Sequence, residues 1–137
     1  MNQTPPRILI IDDDPDFRSI VATILETQDY QVLGESDPKS GVETAKREKP
    51  DLILLDVIFY GDTLGFEYCR VLKKDPDTKN IPVVMVTSVG DVYGVDFWPA
   101  DPDFLPADDF ISKPVRKADL LERVGKILSV RGAGGGA

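Results

Sequence analysis

Histidine is missing from this chain of 137 residues, and cysteine occurs once, at Cys69. Without histidine there is no imidazole general base and no imidazole metal ligand. With one cysteine there is no intrachain disulfide and no cysteine-cluster zinc site. No apolar run approaches the length that crosses a bilayer, and no signal-peptide pattern precedes Arg7. The expectation is therefore a soluble, cytoplasmic protein with no membrane partner. Positive charge is also scarce. Lysine and arginine number 16 against 24 aspartates and glutamates, a net charge of −8, which argues against nucleic-acid binding by this domain. Hydrophobic residues make up 42% and charged residues 29%, ordinary for one globular domain with a single core. What remains for chemistry is carboxylates, hydroxyls and ammonium groups.

Those groups stand at the ends of apolar runs. Leu52-Ile53-Leu54-Leu55 ends in Asp56, and such a run reads as a strand buried on both faces. Ile8-Leu9-Ile10-Ile11 ends in Asp12-Asp13-Asp14, Val83-Val84-Met85-Val86 in Thr87-Ser88, and Phe110-Ile111-Ser112 in Lys113-Pro114. In open α/β sheets the ligand crevice lies beyond the carboxyl ends of the strands. Four strands thus deliver carboxylates, a hydroxyl and an ammonium to one edge, a set suited to a divalent cation and a phosphoryl group.

Between the strands, helices are marked by their starts. Asp14-Pro15 and Asp37-Pro38 each offer an N-cap carboxylate followed by proline at the first helical position. Phe17, Ile20, Val21, Ile24 and Leu25 form one apolar face after the first cap. The spacing predicts strands near 7–11, 31–35, 51–55, 82–86 and 109–112. Helices are predicted over about 15–25, 38–49, 65–74 and 115–130, with Phe66, Cys69, Val71 and Leu72 on the buried side of the third and Leu120, Leu121, Val124, Ile127 and Leu128 on that of the last. The alternation implies a doubly wound parallel sheet with helices on both faces. Residues 88–108 break the pattern: Pro99, Pro102 and Pro106 exclude a regular helix over 98–106, leaving a long loop that carries Tyr93, Phe97, Trp98 and Phe104. Residues 1–6 read as a lead-in, 7–130 as the domain, and 131–137 as a flexible Gly/Ala tail.

Taken in order, Ile10-Ile11-Asp12-Asp13-Asp14, Leu54-Leu55-Asp56, Val86-Thr87-Ser88 and Asp109-Phe110-Ile111-Ser112-Lys113-Pro114 resemble the receiver domain of two-component response regulators. The resemblance implies a flavodoxin-like five-stranded sheet of order 2-1-3-4-5, with the fourth helix replaced or shortened here by the Pro-rich loop. It implies that Asp56 is the phospho-acceptor and that Asp12 and Asp13 are the acidic pair that holds magnesium or manganese. The metal would be shared with Asp56 and the Ile58 backbone carbonyl, Asp12 reaching it through water. It further implies that Thr87 and Lys113 contact the phosphoryl group and that Thr87 and Phe110 move on phosphorylation. The implied partners are a sensor histidine kinase or phosphotransfer protein and a downstream protein, and the only catalysis is the domain's own phosphorylation and dephosphorylation. Two features depart from the family pattern: the loop Val57 to Gly65 lacks the usual proline and is slightly longer, and the stretch from Thr87 to Lys113 is longer than usual.

Other readings meet the same residues less well. Asp12, Asp14 and Asp16 have the spacing that opens a calcium loop, but Phe17 stands where glycine is needed and Thr23 where the last glutamate is needed. A phosphatase resembling the haloacid-dehalogenase superfamily could use Asp12-Asp13-Asp14, Thr87 and Lys113, yet Asp108-Asp109 precedes the lysine and there is no room for a cap domain. A phosphorylation-independent interaction module, signalling through 88–108, is the remaining alternative.

Overall fold

The computed structural model describes residues 4–61, 64–87 and 107–135, the side chains of Thr87 and of 131–135 excepted. The elements are β1 (Arg7–Ile11), α1 (Pro15–Glu26), β2 (Gln31–Glu35), α2 (Pro38–Glu48), β3 (Leu52–Asp56), α3 (Leu64–Lys74), β4 (Val83–Thr87), β5 (Asp109–Ser112) and α4 (Lys117–Gly135). All strand pairs are parallel, and the sheet order is β2-β1-β3-β4-β5, as the resemblance implies. The crossover between β4 and β5, where the sequence predicts a Pro-rich loop in place of a helix, lies over 88–106, outside the described residues, as do its four aromatics.

The strands are apolar on both faces because both faces are covered, and their residues divide with period two. Ile8, Ile10, Leu52, Leu54, Val84 and Val86 meet Val21 and Leu25 of α1 and Leu120 and Val124 of α4. Leu9, Ile11, Ile53, Leu55, Val83 and Met85 meet Ala45 of α2 and Phe66, Cys69 and Leu72 of α3. A one-residue slip of β3 would exchange the two sets and turn Asp56 away from its present neighbours.

Both predicted caps form. Asp14 Oδ1 accepts from the N–H of Asp16 and Phe17, and Asp37 Oδ1 from those of Lys39 and Ser40. Three predicted positions differ. Ile20 is 59% exposed and Val71 42% exposed. The buried stripe of α3 is Gly65, Phe66, Cys69 and Leu72, and Val71, five residues past Phe66, is rotated off it. Ile20 precedes Val21 and Leu25 by one and five residues, and so falls off the α1 stripe in the same way. Helix α4 begins at Lys117 and continues to Gly135, through residues read from composition as a tail. No proline interrupts that stretch, and glycine disfavours a helix by only about 1 kcal/mol per residue.

Candidate functional site

The chain leaves β1 toward β2 on one side and returns to β3 on the other. A crevice therefore opens where the strand order reverses. Asp12 follows the end of β1 there and Asp56 closes β3. Both are buried, 1% and 5% exposed, while Asp13 is exposed. Carboxylate oxygens of Asp12, Asp13 and Asp56 all lie within 4.8 Å of one another. Lys113, just past β5, reaches across β4 to this cluster. Its Nζ lies 3.1 Å from Asp12 Oδ2 and 3.6 Å from Asp56 Oδ1.

Local backbone fixes these groups. Asp12 Oδ1 accepts the N–H of Asp14 at 2.9 Å, its own N–H donates to the Glu35 carbonyl, and its carbonyl accepts from Arg18 Nη1 at 2.6 Å. Asp56 Oδ1 accepts the Ile58 N–H at 3.4 Å, so the Ile58 peptide turns back over the acceptor. The loop achieves this without proline. Phe59 is wholly buried as an anchor, and Tyr60 and Gly61 take left-handed φ of 56° and 78°. Glycine is required at position 65. A Cβ there would stand 2.0 Å from the Asp56 carbonyl oxygen and 2.6 Å from Val57 Cα, because α3 starts directly on the end of β3. The Gly65 N–H donates to the Val57 carbonyl at 2.9 Å.

The electrostatics follow from burial. Desolvation raises the Asp12 carboxyl above its usual value, against the Asp14 N–H and the Lys113 charge. Desolvation first, and the Asp12 charge second, push Asp56 up to about 7, with Lys113 pulling the other way. Burial pushes the Cys69 thiol up to about 12, so it is a packing residue and no nucleophile. The donor set suits a hard cation. It is all oxygen, and octahedral ligands at about 2.1 Å stand roughly 3–4.2 Å apart, within a small side-chain adjustment of this cluster.

Of the remaining predicted residues, Thr87 closes β4 in register with Ser112, and the placement of its hydroxyl lies outside the described residues. Phe110 is partly buried against the α2/α3 core. Sequence reasoning passed over Arg18 and Gly65 as site residues and read Phe17 only as apolar packing. Lys113 Nζ lies over the Phe17 ring, 4.3 Å from its centroid. Nothing in residue spacing marks a contact between positions 17 and 113.

Carboxylates from β1 and β3 with a lysine from β5 at one sheet edge define a site, and residues 8–125 match the response regulator receiver domain. The chain belongs to that family. This receiver domain is 37% identical over 127 residues to the DNA-binding dual master transcriptional regulator RpaA of Synechocystis, covering 90% of this chain and 49% of RpaA. It is 36% identical over 123 residues to Protein PilH of Pseudomonas aeruginosa, covering 90% of this chain and 98% of PilH. The chain thus spans about half the length of RpaA and nearly all of PilH. Its fold is that of the receiver domain of sensor histidine kinase PA1611 from P. aeruginosa PAO1, with a TM-score of 0.78 at 19% identity over 92% of this chain and 99% of that one. That structure carries a magnesium ion coordinated in its active-site cleft.

Proposed function

We propose that this receiver is phosphorylated on Asp56 by a histidine kinase or phosphotransfer protein and thereby switches its contact with a downstream protein. The observation that carries the reading is the Asp56 carboxylate itself: buried, ending the central strand, and bracketed by two further carboxylates and one ammonium. An Asp56 oxygen forms a bond to phosphorus as the P–N bond of a phosphohistidine breaks, the leaving imidazole keeping the electron pair. Lys113 then donates to a phosphoryl oxygen in a charge-assisted bond. Asp13 and Asp56 would hold Mg2+ (or Mn2+) directly, with the Ile58 carbonyl, and Asp12 through water. Bound there, the cation offsets charge on the carboxylates and on the transferring group.

Thr87 and Phe110 are the switch residues of this reading. A Thr87 hydroxyl drawn to the phosphoryl group moves the end of β4, and Phe110, paired with Met85 on that strand, repacks with it. The domain catalyses only its own phosphorylation and dephosphorylation. A cytoplasmic location fits kinase-fed chemistry, and no described helix is long and apolar enough to cross a membrane.

Intact mass after incubation with acetyl phosphate and magnesium tests the proposal. One phosphoryl adduct in the wild type and none in Asp56→Asn is expected. No adduct in a folded wild type would overturn it in favour of a phosphorylation-independent module.

A further inference from the structure

Among the described residues, the Lys113 ammonium has neighbours of two kinds. One kind is the carboxylates of Asp12 and Asp56, at 3.1 and 3.6 Å. The other is the face of Phe17, with the ring centroid 4.3 Å from Nζ. Phe17 reaches that place because Asp14 caps α1 and takes the Phe17 N–H at 3.3 Å, which sets the first turn of the helix against the end of β5. The ring and the Lys113 stem are both half-buried, and Val21, Pro114 and Val115 line the same apolar wall.

We propose that Phe17 is a positioning residue for Lys113, holding the ammonium over the crevice by a cation–π contact, which itself commits no N–H donor. The inference rests on the reading of Asp56 as phospho-acceptor. An ammonium has three N–H donors in a compact head on a flexible stem. A hydroxyl or a third carboxylate at position 17 would instead have taken up one of these donors in a directional bond, leaving fewer for an incoming phosphoryl oxygen. An aromatic face attracts the charge without a directional bond. It restrains the stem, shields one side of the ammonium from water, and lets the head turn toward the crevice. An aliphatic side chain of similar bulk would fill the space and supply none of the attraction.

The test uses Phe17→Leu, Phe17→Met and Phe17→Tyr in the full chain, the first two aliphatic and the third retaining the ring. Initial rates of Asp56 labelling by acetyl phosphate with magnesium, read by intact mass, should fall about 3- to 10-fold in both aliphatic variants, the range expected for a partly exposed cation–π contact, and stay near wild type in Phe17→Tyr. Urea unfolding without metal, repeated in a Lys113→Gln background, separates positioning from packing. The shift in midpoint caused by Phe17→Leu should shrink when Lys113 is absent. Unchanged labelling in the aliphatic variants, equal losses in all three variants, or an undiminished urea shift in the Lys113→Gln background would each overturn the assignment. Failure of the wild type to label at all would sink the acceptor reading instead, and the urea cycle would still decide whether Phe17 holds Lys113.

Discussion

Raising the pH from 5 to 8 should weaken the metal-free fold, and Asp56 should account for most of the loss. Its carboxyl ionises near the ordinary value of 3.8 in the unfolded chain and at about 7 in the folded one. Below pH 4 both states hold the proton. Between about 4 and 7 the folded state keeps a proton that the unfolded chain has released, so stability falls as pH rises, and the loss is complete above the folded value. Three units correspond to about 4 kcal/mol, of which about 2.7 falls between pH 5 and 8, at roughly 1.36 kcal/mol per unit. For a chain of this size that lowers the melting temperature by roughly 8–13 °C.

The absence of histidine makes the window clean. The carboxylates held below their usual range, at Asp37, Glu48 and Asp75, make most of their opposite change below pH 5. The raised Asp12 carboxyl adds to the fall with the same sign. Calorimetry or urea midpoints in chelator-treated buffer at fixed ionic strength measure the slope, and Asp56→Asn should flatten most of it. A wild-type midpoint that is flat or rising from pH 5 to 8, or an equal fall in Asp56→Asn, would refute the argument that burial among like charges raises Asp56.

Magnesium should oppose that loss. At 100 times its dissociation constant it adds about 2.7 kcal/mol, and Asp13→Asn should stabilise the metal-free protein while abolishing the response in thermal melts. Gly65→Ala should destabilise by more than about 2 kcal/mol in urea unfolding and slow Asp56 labelling, since either α3 or the end of β3 must move to admit the methyl group. Asp37→Ala removes the cap of α2 and should cost about 1 kcal/mol in urea without changing the labelling rate relative to wild type.

Strand identity and the cluster of reactive groups were legible in the chain because each rests on a local signal, whereas the sheet order came from the family resemblance. A fully buried parallel strand leaves an uninterrupted apolar run, a helix start leaves an aspartate before a proline, and Asp12, Asp56 and Lys113 stand directly after such runs. Helix faces were legible only in part. Periodicity named Val21, Leu25, Cys69 and Leu72 correctly, but Ile20 and Val71 are apolar residues beside the stripe, and hydrophobicity alone does not say which of two adjacent apolar residues turns inward. Tertiary structure decided what depends on contacts between separate elements. Arg18 on the Asp12 carbonyl, the bare Cα of Gly65 on the backbone of Asp56, and the Phe17 ring under Lys113 all arise where separate elements converge on one strand edge. The raised Asp56 carboxyl belongs with them. Its cause is removal from water beside Asp12, and desolvation exists only once the sheet and both helix layers have closed around it.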